Sequence, residues 1–251
     1  MGSLDLAARI DPAPAQIAAN RAWPLPVRAL KEKTKKASSA PIHIPDGHLY
    51  TAEDIVIPDN CAPYVKGVLV PGGVVADRVD KLAHDIRKHF KEGELHMVCI
   101  LKGAHTFFGD LSVSIIRQQT ALGEAKGVQL YQHFIHMSTY RNASATGEVK
   151  FLAEDLSCLK GKNVLVVDDV VETGNTLRYV SDWLAGMQPK SVHTACLVQI
   201  RSEGQLPSVD FVGFSGPREW LVGYGIDYNG LFREGPHVCV LSEDAKKALA
   251  V

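Results

Sequence analysis

Two adjacent carboxylates at the end of an apolar run pose the first chemical question in this chain. The segment VLVVDDVVETGNT (164–176) passes through four apolar residues to Val167 and then breaks into Asp168 and Asp169. Neighbouring residues on a strand point to opposite faces, so the two acids cannot both lie in a core. Ligands of open parallel sheets bind outside the carboxyl ends of the strands, and at least one acid is expected to meet a ligand, solvent or a metal there. Glu172, Thr173, Gly174, Asn175 and Thr176 follow at the expected start of a helix. Free amides and the helix dipole make that turn an anion site. Thr173 and Thr176 add hydroxyl donors, and Gly174 permits close approach. Carboxylates for sugar hydroxyls or Mg²⁺, beside donors for a phosphate, suit a ribose 5-phosphate. The plainer reading is an acidic strand–helix turn with Thr as its cap. The string has neither the Lys of a Walker A loop nor a GxGxxG pattern.

The elements that must position these residues follow from periodicity. Val79, Leu82, Ala83, Ile86 and Phe90 recur at helical spacing, which predicts a helix over 75–90. HMVCIL (96–101) reads as a buried strand, 106–119 as a helix and 128–137 as the next strand. STYRNASATGEV (138–149) is polar and small, a loop long enough to act as a lid. NVLVVDD (163–169) is the clearest strand, followed by a helix carrying Leu177, Val180 and Leu184. Further strands are expected at 191–199, 210–214, 220–224 and 238–241. Strands separated by helices predict an α/β fold with a mainly parallel sheet, and the crowded later strands a smaller flap.

The chain has 251 residues, 46% hydrophobic and 22% charged, with a net charge of −1. That balance argues against a chain-wide nucleic-acid footprint. No apolar run reaches the roughly 18 residues of a membrane span, and no signal-peptide core is evident, so a cytosolic location is expected. Residues 1–40, rich in Ala and Pro and ending in KEKTKKASSA, read as a disordered or loosely packed extension ahead of a domain at 41–251. The five cysteines (61, 99, 158, 196 and 239) are dispersed without a CxxC pair, which predicts buried, reduced thiols and no zinc motif.

The string at 164–176 resembles the phosphoribosyl-pyrophosphate signature of the type I phosphoribosyltransferases. ILKGAHTFFGDL (100–111), TYRNASATGEV (139–149), PGGVVADRVDKLA (71–83), DFVGF to WLVGYGIDYNGLFR (210–233) and HVCVLSE (237–243) narrow the resemblance to the hypoxanthine-guanine(-xanthine) enzymes, over about residues 45–250. The resemblance implies the type I fold, a twisted parallel sheet flanked by helices with a hood from about 41–70 and 200–251. It implies transfer of phosphoribosyl from phosphoribosyl pyrophosphate to a 6-oxopurine, with Mg²⁺ as cofactor, in a homodimer or homotetramer. Asp168 and Asp169 would hold the ribose hydroxyls and the metal, and residues 173–176 the 5′-phosphate. Lys102, after a cis Leu101–Lys102 peptide, would hold pyrophosphate with Gly103 and Arg233. Asp227 would serve the second metal, Trp220 would stack on the purine, and backbone groups of Leu221 and Asp227 would read its edge. Thr139 and Tyr140 would belong to the closing lid. His105 and His136 are read as structural or solvent-facing.

Two positions depart from the family pattern. Glu172 stands where an Asp takes or shares the purine N7 proton, and its extra methylene displaces the acceptor by about 1 Å, enough to slow turnover. Gln199 stands where a Lys donates to the 6-oxo group, and Arg201, two residues on, is a candidate source of the missing charge. A low-activity relative that binds nucleotide or phosphoribosyl pyrophosphate is therefore the alternative reading, ahead of a nucleic-acid regulator.

Overall fold

A computed structural model describes residues 38–121, 127–139, 149–153, 155–202 and 206–249. In chain order the elements are β1 (Ile42–His43), β2 (Val65–Val70), α1 (Gly72–Phe90), β3 (Gly93–Leu101), α2 (His105–Ala121), β4 (Val128–Thr139), β5 (Val149–Ala153) and β6 (Asn163–Val171). Then come α3 (Asn175–Ala185), β7 (Ser191–Ile200), β8 (Phe211–Gly216), β9 (Leu221–Val222), β10 (Val238–Leu241) and α4 (Glu243–Ala248). Seven strands form the main sheet in the order β1-β8-β7-β6-β3-β4-β5. Every pairing in it is parallel except that of β4 with the edge strand β5. A second, antiparallel sheet, β2-β10-β9, makes the hood.

Alternation along β6 explains why its sequence is apolar on both faces. Leu165 and Val167 enter the core shared with α1 and α2, whereas Val164 and Val166 pack with Leu177, Val180 and Leu184 of α3. A strand covered on both sides reads as a near-continuous apolar run, and Asp168 is where that run ends. The helix at 75–90 begins three residues earlier, at Gly72, with Pro71 as its N-cap.

Strands at 42–43 and 211–216, inside the ranges expected for the hood, pair into the main sheet instead. The strand expected over 220–224 spans only Leu221–Val222, because Gly223, Tyr224 and Gly225 all take positive φ and turn the chain. Arg78 clamps the entry to the domain. Its buried guanidinium donates to the carbonyls of Val212 at 2.9 Å, Gly213 at 2.8 Å and Ala40 at 2.8 Å. Most of the residues expected to form the N-terminal extension, 1–37, lie outside the described residues. Among the described residues, no helix is long and apolar enough to cross a membrane.

Candidate active site

The acid pair sits where β6 leaves the core. Asp168 is 7% exposed, and Asp169 retains partial access. Each carboxylate accepts a hydrogen bond from the next backbone amide, Asp169 N to Asp168 at 3.1 Å and Val170 N to Asp169 at 2.9 Å. Burial, followed by the charge of Asp169, holds the Asp168 carboxyl well above the usual carboxylate range. Burial also raises Asp169, against the opposing pull of the Val170 amide and of Arg233. The two neighbouring carboxyls offer hard oxygen donors, which suit a divalent ion.

Two loops converge on this pair, and a third follows it along the chain. The 101–104 turn joins β3 to α2, and the Leu101–Lys102 peptide is cis. Gly103 lies flat against Asp169, and a Cβ there would overlap the carboxylate. Lys102 is exposed beside it. The turn after β9 supplies the second loop. Gly225, at φ 94°, packs so closely that an added Cβ would come within 2.6 Å of Gly103 O. Arg233 donates to Gly225 O at 2.7 Å and pairs with Asp227 at 2.6 Å, while Asp227 also accepts from Gly230 N at 2.6 Å. Lys102, Gly103, Asp169, Asp227 and Arg233 thus belong to one cluster, although up to 131 positions separate them (102 to 233). Tyr224 fastens this hood turn to α2 through its hydroxyl, 2.5 Å from Asp110.

The third loop is the expected anion turn. Gly174 takes φ 72° as N-cap of α3 and offers no side-chain cap, so the first-turn amides after Asn175 have no side-chain cap. Thr173 reaches Asn175 N at 3.4 Å, and Asn175 accepts from Arg178 at 3.0 Å. A groove of about 660 Å³ opens beside Thr173 and Gly174 and runs along α3 to the segment 206–210. The acid pair does not line it.

The residues expected to meet the purine divide into those the structure leaves available and those it engages. Trp220 is 58% exposed, edge-on to Tyr228 at 5.5 Å, so its indole face is not core. Leu221 is buried in β9, opposite Val240. Glu172 pairs with Arg218 at 3.1 Å, a partner that the sequence reading missed because Arg218 sits 46 residues away in an irregular turn. Gln199, 7% exposed, donates to Pro207 O at 2.7 Å, and Pro207 covers Gly174. The rescue expected of Arg201 finds no support: its guanidinium is held by Ser215 O at 2.6 Å and by Asp46. Thr139 ends β4, and Tyr140 lies outside the described residues. His105 is exposed at the start of α2 and His136 half-buried on β4.

Comparison with known proteins joins this geometry to a family. The family model for the phosphoribosyl transferase domain matches residues 71–229. The chain is 38% identical over 210 residues to the hypoxanthine-guanine-xanthine phosphoribosyltransferase of Plasmodium falciparum, covering 82% of this chain and 90% of that protein. It is 36% identical over 201 residues to the human hypoxanthine-guanine phosphoribosyltransferase, covering 78% and 90%. Among solved structures, the Schistosoma mansoni hypoxanthine-guanine phosphoribosyltransferase in complex with IMP aligns at a TM-score of 0.70 and 28% identity, over 84% of this chain and 99% of that one.

Proposed function

Because the chain belongs to the hypoxanthine-guanine phosphoribosyltransferase family, we infer that it is a purine-salvage enzyme. It transfers the 5-phosphoribosyl group from phosphoribosyl pyrophosphate to N9 of a 6-oxopurine, giving the nucleoside monophosphate and pyrophosphate. The observation that carries this reading is the convergence of the acid pair with Gly103 and Arg233, with the amide-lined turn at 173–176 beginning four residues after Asp169.

The roles of the individual residues follow from what each can offer. Asp168 and Asp169 hold the ribose hydroxyls and, with Asp227, would hold Mg²⁺, which neutralises departing pyrophosphate when bound. Amides and hydroxyls of residues 173–176 cradle the 5′-phosphate. Lys102 and the Gly103 amide face the pyrophosphate. Arg233 and Asp227 hold one another, and pyrophosphate draws the guanidinium away, which frees the Asp227 carboxylate. Trp220 offers its exposed face to the purine, and backbone groups of Leu221 and Asp227 read the purine edge. Glu172 is the acceptor for the N7 proton, and Arg218 steadies its carboxylate. Gln199 has two amide N–H groups; Pro207 takes one and the other remains for the 6-oxo group. That tether fixes the nitrogen end of the amide and favours 6-oxopurines over adenine. Residues 138–149, Thr139 and Tyr140 included, would be the lid that excludes water.

The same reading proposes a cytosolic homodimer or homotetramer, supported by the exposed apolar side chains Val113, Ile116 and Phe134. Incubation with Mg²⁺, phosphoribosyl pyrophosphate and each of hypoxanthine, guanine, xanthine and adenine is the test. Nucleotide is expected from at least one 6-oxopurine and least from adenine. No product from any base, with phosphoribosyl pyrophosphate still bound, would leave a binding protein in place of an enzyme.

A further inference from the structure

Away from the phosphoribosyl site, three elements remote in sequence bring two imidazoles and a thiol together. His96 of β3, His133 of β4 and Cys158 offer ligand atoms that all lie within 4.8 Å of one another. His96 aligns in register with Val164 on β6, four residues before Asp168, so roughly 13 Å of strand separates this cluster from the acid pair. We propose that His96, His133 and Cys158 form a binding site for one Zn²⁺-class cation.

The donor set selects the class. Imidazole and thiolate suit Zn²⁺, whereas Mg²⁺ and Ca²⁺ want oxygen ligands. Three protein donors leave a fourth, open position for water. His96 Nδ1 and His133 Nε2 stand 2.9 Å apart in a shared hydrogen bond, with the rings within 9° of parallel. A tetrahedral ion with Zn–N bonds of about 2.0–2.1 Å needs the two nitrogens about 3.3 Å apart, so the rings part by a few tenths of an ångström and tilt. Cys158 lies in a 3-10 turn, Ser157–Leu159, which the buried Leu156 and Leu159 anchor against the same face of the sheet. Its thiol is the exposed one of the five.

The surroundings of His96 supply a second, independent observation. The residue is 4% exposed, and its outer nitrogen, Nε2, is buried without a hydrogen-bond partner. That nitrogen faces Glu94 Oε2 at 3.8 Å, and Lys162 holds the Glu94 carboxylate in place. A metal-bound histidine commonly donates its other N–H to a carboxylate, and Glu94 stands where that partner belongs. The proton balance is simple. The proton now shared between the rings gives way to a tautomer with N–H on His96 Nε2 and His133 Nδ1, and the Cys158 thiol proton leaves to solvent.

The test uses the full-length chain, stripped of transition metals and kept in excess Mg²⁺ to occupy carboxylate sites. Titration with Co²⁺ reads thiolate-to-metal charge transfer, and Zn²⁺ competing with a chromophoric chelator reads affinity. One Co²⁺ per chain with a charge-transfer band is expected. Cys158→Ser should abolish the band and weaken Zn²⁺ by about 100-fold or more, since loss of a supporting partner alone costs 10–100-fold. His133→Ala should weaken Zn²⁺ similarly with the thiol still present. Absence of the band, or Zn²⁺ binding unchanged in Cys158→Ser, overturns the site. Phosphoribosyl transfer by Cys158→Ser should stay within about twofold of wild type, as for a surface change outside the catalytic cluster. None of these metal readouts depends on turnover, so the site and the enzymatic reading fail separately.

Discussion

Asp168 and Asp169 show how one pair of side chains sets stability against function. Asp168 is buried with the half-buried Asp169 beside it, and burial raises both carboxyls. A raised folded-state value in an acid means that the folded chain holds more protons than the unfolded one, so stability falls as pH rises. The cost is absent below about pH 4, the ordinary carboxyl range, and grows toward neutrality. Asp168→Asn should therefore raise the melting temperature of the metal-free protein at pH 7 by at least about 2 °C, with the gain vanishing near pH 4. The same variant should lose at least about 100-fold in turnover. Thermal melts across pH, with and without Mg²⁺, check both halves. Glu172 reaches Arg218, and its departure from the family's Asp concerns reach, not charge. Glu172→Gln should cost about 10²-fold or more in kcat, and Glu172→Asp should raise kcat above wild type. Steady-state kinetics with hypoxanthine decide this, and an Asp variant slower than wild type would show that Glu172 is already well placed.

At the scale of elements, the turns do the assembling. The 101–104 turn fits against Asp169 only because residue 103 has no side chain, and the hood turn fits against residue 103 only because residue 225 has none. Gly103→Ala should leave the fold near wild-type stability if the Asp169 carboxylate swings aside, yet cost at least about 10²-fold in kcat/KM, because displacement of about 1 Å at a reacting centre costs that much. Circular dichroism and kinetics on one preparation separate the two effects. These contacts mark the limit of what the sequence makes legible. The run into Asp168 and the start of α3 could be read because strand alternation and helix-start chemistry are local. β3, α2, β4, β7 and β10 were legible for the same reason. The two-residue β1 and the six-residue α4 are too short to show periodicity, and the edge strand β5 begins at the last residue of the stretch read as the lid. The Arg218 partner of Glu172, the Pro207 tether on Gln199 and the His96–His133–Cys158 cluster depend on chain crossings that no local pattern encodes. Cys158, expected to be buried like the others, is exposed, because it sits between two leucines that take the core positions.

For the whole molecule, the question is how a sheet and a hood make one site. The main sheet contributes the acid pair and the glycine turn that opens α3, at the ends of its strands. The hood contributes Asp227, Arg233 and Trp220, held to the sheet by Gly225 against Gly103 and by Tyr224 on Asp110. Each part brings charges of both signs, Asp168, Asp169 and Lys102 from the sheet side and Asp227 and Arg233 from the hood. Calorimetric titration of the full chain with phosphoribosyl pyrophosphate in Mg²⁺ tests that union most directly. Saturable binding of one molecule per chain, lost in both Asp168→Asn and Arg233→Ala while each variant remains folded, is the predicted result. No heat from the wild-type chain, or undiminished binding by both variants, would contradict it.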